Sequence, residues 1–269
     1  HGLMMDATGN LYITHTDWNK IQKIDATTGI ITTVVGTGAG TGSLGDGGPA
    51  TGATLDRPWS SCFDAAGNMY IADKYNNRIR KVDAATKVIT TIAGGGTSTA
   101  DGIPATTASI TPWSVVTDAT GNLYIGTTNK VQKVNLSTGI ITTYAGTGTA
   151  GDSGDGGAAT AASIKGPSSM AIDTHGNLYI ACSTKVKMIN ASTGIITTIA
   201  GGGTSLLDAI PSTSAKLFNV GSVCLDLSGN IYIGDMGGST CIRMVDAATG
   251  LIYKIAGSGA IWGAGWGDG

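Results

Sequence analysis

Residues 58–82 read Pro58-Trp-Ser-Ser-Cys-Phe-Asp-Ala-Ala-Gly-Asn-Met-Tyr-Ile-Ala-Asp-Lys-Tyr-Asn-Asn-Arg-Ile-Arg-Lys-Val82. Two kinds of signal alternate in this stretch, short runs with strand character and turns with their own chemistry. In Asp64-Ala-Ala-Gly-Asn68 the Asp can accept hydrogen bonds from backbone amides two and three residues on, and Gly67 supplies the positive φ that closes a hairpin. Working outward, Gly-Asn followed by an apolar residue and Tyr-Ile recurs with Asn10, Asn68, Asn122, Asn177 and Asn230, at intervals of 58, 54, 55 and 53 residues. Self-similarity at such a period marks a repeat architecture. Each unit adds a fourth strand-like run of the form Ile140-Ile-Thr-Thr-Tyr-Ala-Gly146. Four short strands per repeat make a propeller blade.

The expected fold is all-β, a β-propeller of five four-stranded blades with short helical turns in the inter-blade linkers. One domain is expected over 1–269, with repeats at about 1–57, 58–111, 112–166, 167–219 and 220–269. Composition agrees. The chain of 269 residues holds 43 Gly, and its 18 acidic residues are all Asp. Glu favours helix, whereas Ile and Thr favour strands and Gly and Asp favour turns. With 16 Lys and Arg against those 18 acids, and no basic cluster, the chain lacks the phosphate-neutralising surface that nucleic acid requires. No apolar run approaches the roughly 20 residues that span a bilayer.

Finer expectations follow from the same repeats. The hairpin Asp recurs as Asp6, Asp64, Asp118, Asp173 and Asp226. A second turn, Asn190-Ala-Ser-Thr-Gly194, is matched at 25–29, 135–139 and 246–250, but Lys87 stands where the second blade should have Gly. A left-handed Lys87 would store on the order of 1 kcal/mol. The Val residues of 130–135 alternate imperfectly, so a bulge is expected near Gln132 and Lys133. The Leu-Tyr-Ile strand should be covered on both faces. In the Gly-rich linkers, Asp46 and Asp155 precede small-residue stretches that read as one or two helical turns with Asp as N-cap.

The whole of 58–82, together with the linking Ile-Ile-Thr-Thr-x-Ala-Gly and Ser153-Gly-Asp-Gly-Gly157, resembles the NHL repeat. The resemblance implies a β-propeller whose relatives commonly have six blades and serve as binding platforms, with a minority being lyases or hydrolases. This chain has five units and no spare strand to complete a shared blade. Asp268 aligns with Asp46 and His1 with Trp59, so about ten residues of a normal linker are missing between them, and an excerpt of a longer chain is expected.

NHL-like lyases hold zinc through several His residues, and such a site needs three converging protein ligands. Here there are three His, at unlike repeat positions, and no Glu. The five hairpin Asp residues could offer oxygens to Ca²⁺, but an Asp at a fixed turn position is better explained by the turn's own amides. No catalytic residue and no protein-held metal is assigned. Trp59 and Trp113, each following Pro, are the candidate binding residues, for protein or sugar contact or as caps of the core. Arg57, Arg78 and Arg80 with Asp73 and Tyr75 read as paired rim charges. Cys182 and Cys241 are candidates for a bridge between neighbouring blades, whereas Cys62 and Cys224 read as buried thiols. Asn135-Leu-Ser137 and Asn190-Ala-Ser192 are N-glycosylation sequons.

The function expected is that of a non-catalytic, extracellular or cell-surface module. It would bind protein partners, copies of itself or glycans, as a subunit of a larger assembly or filament. The alternative is a metal-dependent lyase or hydrolase with its site in the central channel.

Overall fold

The structure, a computed structural model, describes residues 2–41, 44–237 and 240–257. His1, Trp262, Trp266 and Asp268 lie outside the described residues. Five antiparallel sheets follow one another along the chain. Blade 1 is built from β1 (Gly2–Met5), β2 (Leu11–His15), β3 (Lys20–Ile24) and β4 (Ile31–Val35). Blade 2 has β5 (Pro58–Phe63), β6 (Met69–Asp73), β7 (Arg78–Val82) and β8 (Ile89–Gly94). Blade 3 has β9 (Ile103–Pro104), β10 (Ser114–Thr117), β11 (Asn122–Gly126), β12 (Val131–Asn135) and β13 (Ile140–Ala145). Blade 4 has β14 (Pro167–Ile172), β15 (Leu178–Cys182), β16 (Lys185–Ile189) and β17 (Ile196–Gly201). Blade 5 has β18 (Ile210–Pro211), β19 (Val220–Leu225), β20 (Ile231–Asp235), β21 (Cys241–Val245) and β22 (Leu251–Ala256). The two-residue strands β9 and β18 come from the preceding linkers and pair with the outer strands β13 and β22. The fold is thus an all-β propeller of five blades.

The chain divides into two compact units, 1–144 and 145–269. In the first, an apolar layer joins Ile21 and Val35 of blade 1 to Met69, Ile71, Val82 and Ile89 of blade 2. A second joins Tyr70, Ala72 and Ile79 to Leu123, Ile125 and Ile141 of blade 3. In the second unit, Ala181 and Val186 of blade 4 meet Val223, Ile233 and Ile252 of blade 5. Every residue of β6 and β11 is buried, as the sheet-between-sheets reading of the Tyr-Ile strand requires. Each aliphatic side chain so placed contributes about 1.5–3 kcal/mol.

The hairpins keep the expected Asp turn with one difference: the second backbone amide on the carboxylate comes from four residues on, not three. Asp64 Oδ1 accepts the backbone N–H groups of Ala66 and Asn68, and its Oδ2 accepts Asn68 Nδ2 at 2.8 Å and the Tyr70 hydroxyl at 3.0 Å. The same set forms at Asp6, Asp118, Asp173 and Asp226. Lys87 takes the left-handed conformation at φ 57°.

One expectation is corrected. The linkers contain three-residue 3₁₀ turns (Ala50–Gly52, Ala105–Thr107, Ala159–Ala161, Ser212–Ser214), and none has a side-chain cap. Asp46 and Asp155 instead reach the following blade: Asp46 accepts Thr91 Oγ1 at 2.7 Å, and Asp155 accepts Lys187 Nζ at 2.7 Å. Pro or Ala already fixes an extended approach to each turn, so the carboxylate is available for the neighbouring strand. The register of β11 on β12 runs without a shift through Gln132 and Lys133. In blades 1, 2, 4 and 5 a register shift lies between the third and outer strands, as between Ile79 and Arg80, at the position that Val131 and Gln132 hold in blade 3.

Candidate functional site

A further irregularity positions the most distinctive side chains. The pairing of β5 with β6 shifts between Pro58 and Ser60, leaving Trp59 as the extra residue, and a bulge re-aims the side chain that it adds. Trp113, at the same repeat position, immediately precedes β10 and donates its backbone N–H to Gly126 O. The two indoles meet edge to face with centroids 5.4 Å apart. Between them runs Lys74, the residue just after β6. Its Nζ lies 3.9 Å from the Trp59 ring centroid and 3.3 Å from that of Trp113, and 5.5 Å from Tyr75. Cation–π contacts of this kind are worth about 2 kcal/mol or more when desolvated. Burial, and then the charge of Arg57, lower the Lys74 pKa.

The rim of this cluster is accessible. Trp59 is half-buried, Tyr75 and Arg57 are exposed, and the Arg57 guanidinium sits 5.2 Å from the Tyr75 ring centroid. Trp113 Nε1 is buried without a hydrogen-bond partner. Asp73 holds the supporting loops. One of its oxygens accepts the Asp56 backbone N–H at 2.8 Å; the other accepts Asn76 Nδ2 at 2.9 Å and Arg80 at 3.3 Å. Arg80 also binds Asp46 at 2.7 Å and Leu44 O at 2.7 Å. Burial raises the Asp73 pKa against the opposing pull of these donors.

Arg80 and Asp73 are fully buried, so the expectation of paired rim charges is corrected for them. Asp73 ends one strand and Arg80 lies two residues into the next, so the two meet across the hairpin. Lys74 was not singled out from the sequence. Its only signal is its place between Asp73 and Tyr75, across from two Pro-Trp pairs.

The remaining candidates are separate from this cluster. Cys182 and Cys241 are both buried. Cys182 ends a second strand and is paired with Lys185, whereas Cys241 opens a third strand opposite Asp235, so the two occupy different columns of the repeat. Burial pushes the Cys182 and Cys62 thiols up to about 12. Cys224, expected to be buried, is exposed. Asn135 and Asn190 direct Oδ1 to the backbone N–H groups two and three residues on and to the sequon Ser hydroxyls at 2.6 and 2.7 Å. His15 stacks on Trp18 at 4.9 Å, and His175 lies in a hairpin turn, its backbone N–H donated to Asp173. Among the described residues, no three His, Cys or Asp side chains gather closely enough to hold a metal ion. Among the same residues, no helix is long and apolar enough to cross a membrane.

Comparison with known proteins places this repeat. The family model for the teneurin NHL domain matches residues 147–239. The repeats are of the NHL type. A comparison with curated proteins finds no match. Among solved structures, a protein of unknown function from Bacteroides thetaiotaomicron superposes with a TM-score of 0.68 at 16% identity, covering 97% of this chain and 58% of that one. This chain therefore spans a little over half the length of that protein. A chain of the nidogen/laminin complex gives a TM-score of 0.63 at 15% identity over 95% of this chain and 78% of that chain. Virginiamycin B lyase from Staphylococcus aureus gives 0.56 at 14% identity over 95% and 83%. At these identities the likeness is one of fold.

Proposed function

We propose that this NHL-type propeller is a non-catalytic extracellular or cell-surface module that binds protein partners, copies of itself or glycans, as a structural subunit of a larger assembly or filament. The observation that carries the reading is the cluster of Trp59, Trp113, Lys74, Tyr75 and Arg57. Aromatic side chains and Arg are the residues enriched at the centres of protein interfaces, and exposed ring faces also stack on sugars. The ionisable residues that the repeat supplies five times over are engaged in their own hairpins. Fold neighbours that include a chain of the nidogen/laminin complex, and a teneurin-type domain match, support an extracellular setting. Asn135 and Asn190, exposed or half-buried turn residues whose Oδ1 atoms accept the sequon Ser hydroxyls, would then be glycosylation sites. No cofactor is part of the proposal.

Tryptophan fluorescence of the purified protein, titrated with neutral oligosaccharides and with extracellular matrix proteins, tests it. Binding should shift the emission, and Trp59→Ala should weaken it about tenfold or more, the loss of a typical interface anchor. Lys74→Met should change the emission even without a partner. Stoichiometric zinc or calcium in the purified protein, with lyase or hydrolase turnover lost on its removal, would sink the proposal in favour of the enzymatic alternative.

A further inference from the structure

Four basic side chains are buried among the described residues, and three of them meet a carboxylate. Arg80 has Asp73 and Asp46, Lys187 has Asp152 and Asp155, and Arg243 has Asp208. Lys74 is the exception. It is 6% exposed, its ammonium is met by the Trp59 and Trp113 rings, and among the described residues no acceptor oxygen takes a hydrogen bond from its Nζ. An ammonium has three donors, and a ring face attracts its charge without supplying an ordinary acceptor. The charge that acts on Lys74 is a second cation, Arg57, which forms no ion pair among the described residues either. Trp113 Nε1 adds a further donor without an acceptor.

Arg57 is also held at a cost. Its φ is 46°, in the left-handed region, immediately before Pro58. Blade 4 has Gly166 at this position with φ 58°, and Ser168 at the position of Trp59. The repeat therefore closes without either side chain. Backbone strain at a non-Gly residue is characteristic of ligand-binding positions. The Arg57 N–H donates to Asn19 Oδ1 at 2.7 Å and the Tyr75 N–H to Asp56 O at 3.1 Å, so anchored backbone carries both side chains.

We infer that the aromatic cluster binds an anionic sugar, a uronate whose ring stacks on the exposed Tyr75 ring and whose carboxylate is held between Lys74 and Arg57. Both cations border the Tyr75 ring, at 5.5 and 5.2 Å from its centroid. A uronate carries its carboxylate one bond from the sugar ring, so a single residue engages the aromatic face and the cations together. A protein carboxylate would meet the cations and leave the aromatic face unused. Such charge complementarity speeds encounter and selects against neutral ligands. The inference rests on the reading of this cluster as the binding site and adds the charge of its ligand.

The test titrates the protein of residues 1–269 with oligogalacturonate, oligomannuronate and hyaluronan oligosaccharides, each against its methyl ester, which keeps the rings and removes the charge. Tryptophan fluorescence at low salt reads binding. At least one acid should bind about tenfold or more tighter than its ester, equivalent to 1.4 kcal/mol. Lys74→Met keeps a side chain that packs between the indoles, and it should weaken acid binding about tenfold. Arg57→Gly should weaken it as much while leaving the urea midpoint unchanged or raised, because Gly suits this φ. The inference is overturned by no binding of any acid at millimolar concentration, by acid binding that both variants leave intact, or by equal affinity for oligoglutamate. Equal binding of acid and ester also overturns it; if Trp59→Ala abolishes that binding, the cluster remains the site and only the charge assignment fails. Tight acid binding indifferent to Trp59→Ala would remove the cluster itself.

Discussion

Blades 2 and 4 follow the same repeat yet neutralise a buried cation in different ways. Both place a base opposite the Ile of Tyr-Ile, Arg80 facing Ile71 and Lys187 facing Ile180. In blade 2 the counter-charge is Asp73, at the end of the second strand and fully buried, helped by Asp46 from the linker. In blade 4 Cys182 occupies the position of Asp73, and two linker carboxylates, Asp152 and Asp155, take its place with side chains 46% and 41% exposed. The bulge position differs in parallel. Blade 2 puts Trp59 there and packs Lys74 against it, whereas blade 4 puts Ser168, whose hydroxyl donates to Val220 O at 3.1 Å. The repeat thus specifies where a charge must be met, and leaves open which segment meets it.

The largest test of this contrast is to remove each base. Arg80→Met leaves a dry Asp73 with one fewer donor, and breaking a buried pair from one side costs about 3–5 kcal/mol. Lys187→Met leaves two carboxylates that water can reach, so the loss should be about 1–3 kcal/mol. Urea unfolding of the two variants, with m-values checked for two-state behaviour in each, measures both. Equal losses would break the comparison. Double substitution of Arg80 and Asp73 by apolar residues should recover only part of the first loss, because Asp73 also accepts the Asp56 N–H and Asn76 Nδ2.

That asymmetry also marks where the sequence stopped being readable. Blade number, strand order and the hairpin Asp are local and periodic, so five aligned copies expose them. Lys87 was legible for the same reason, as one departure from four Gly-ended turns. Arg80 was misread as a rim charge because its burial depends on a linker carboxylate 34 residues away and on the bulged outer strand beside it. The aromatic pair was legible as Trp59 and Trp113, but not its occupant: the bulge that turns Trp59 toward Lys74 is a property of strand pairing. The linker Asp was assigned to a helix cap because its true partners, such as Thr91 for Asp46, lie 42–46 residues downstream in three of the linkers.

The hairpins should behave alike in the two blades, which sharpens the contrast. At Asp64 and Asp173 burial raises the pKa, but hydrogen bonds from Asn68 and Tyr70, or from Asn177, His175 and Tyr179, outweigh it and leave both below the ordinary 3.8. A carboxylate with a depressed folded pKa adds stability above the unfolded value, and that stability is lost as pH falls through the folded value. The urea midpoint should therefore hold down to about pH 4 and decline below it. Asp64→Asn and Asp173→Asn should each lower the midpoint at pH 7 and flatten the acid decline by similar amounts. A decline unchanged in both variants would show that these turns are not what acid attacks.

The smallest effect expected separates the outer turns. Gly194 of blade 4 has φ 67°, and Lys87 of blade 2 adopts nearly the same conformation at φ 57° with a side chain to accommodate. A non-Gly residue held there costs on the order of 1 kcal/mol. Lys87→Gly removes that strain but frees more of the unfolded chain, and it deletes the bond from Nζ to Ala84 O at 2.5 Å. These opposing terms leave a net stabilisation of about 0.5 kcal/mol. Lys87→Asn keeps the tolerance for left-handed backbone without the entropic penalty of Gly, so it should stabilise at least as much. If both substitutions destabilise, the Lys87 ammonium contributes more to this turn than its backbone conformation costs, and blade 2 would rely on charge even at its outermost corner.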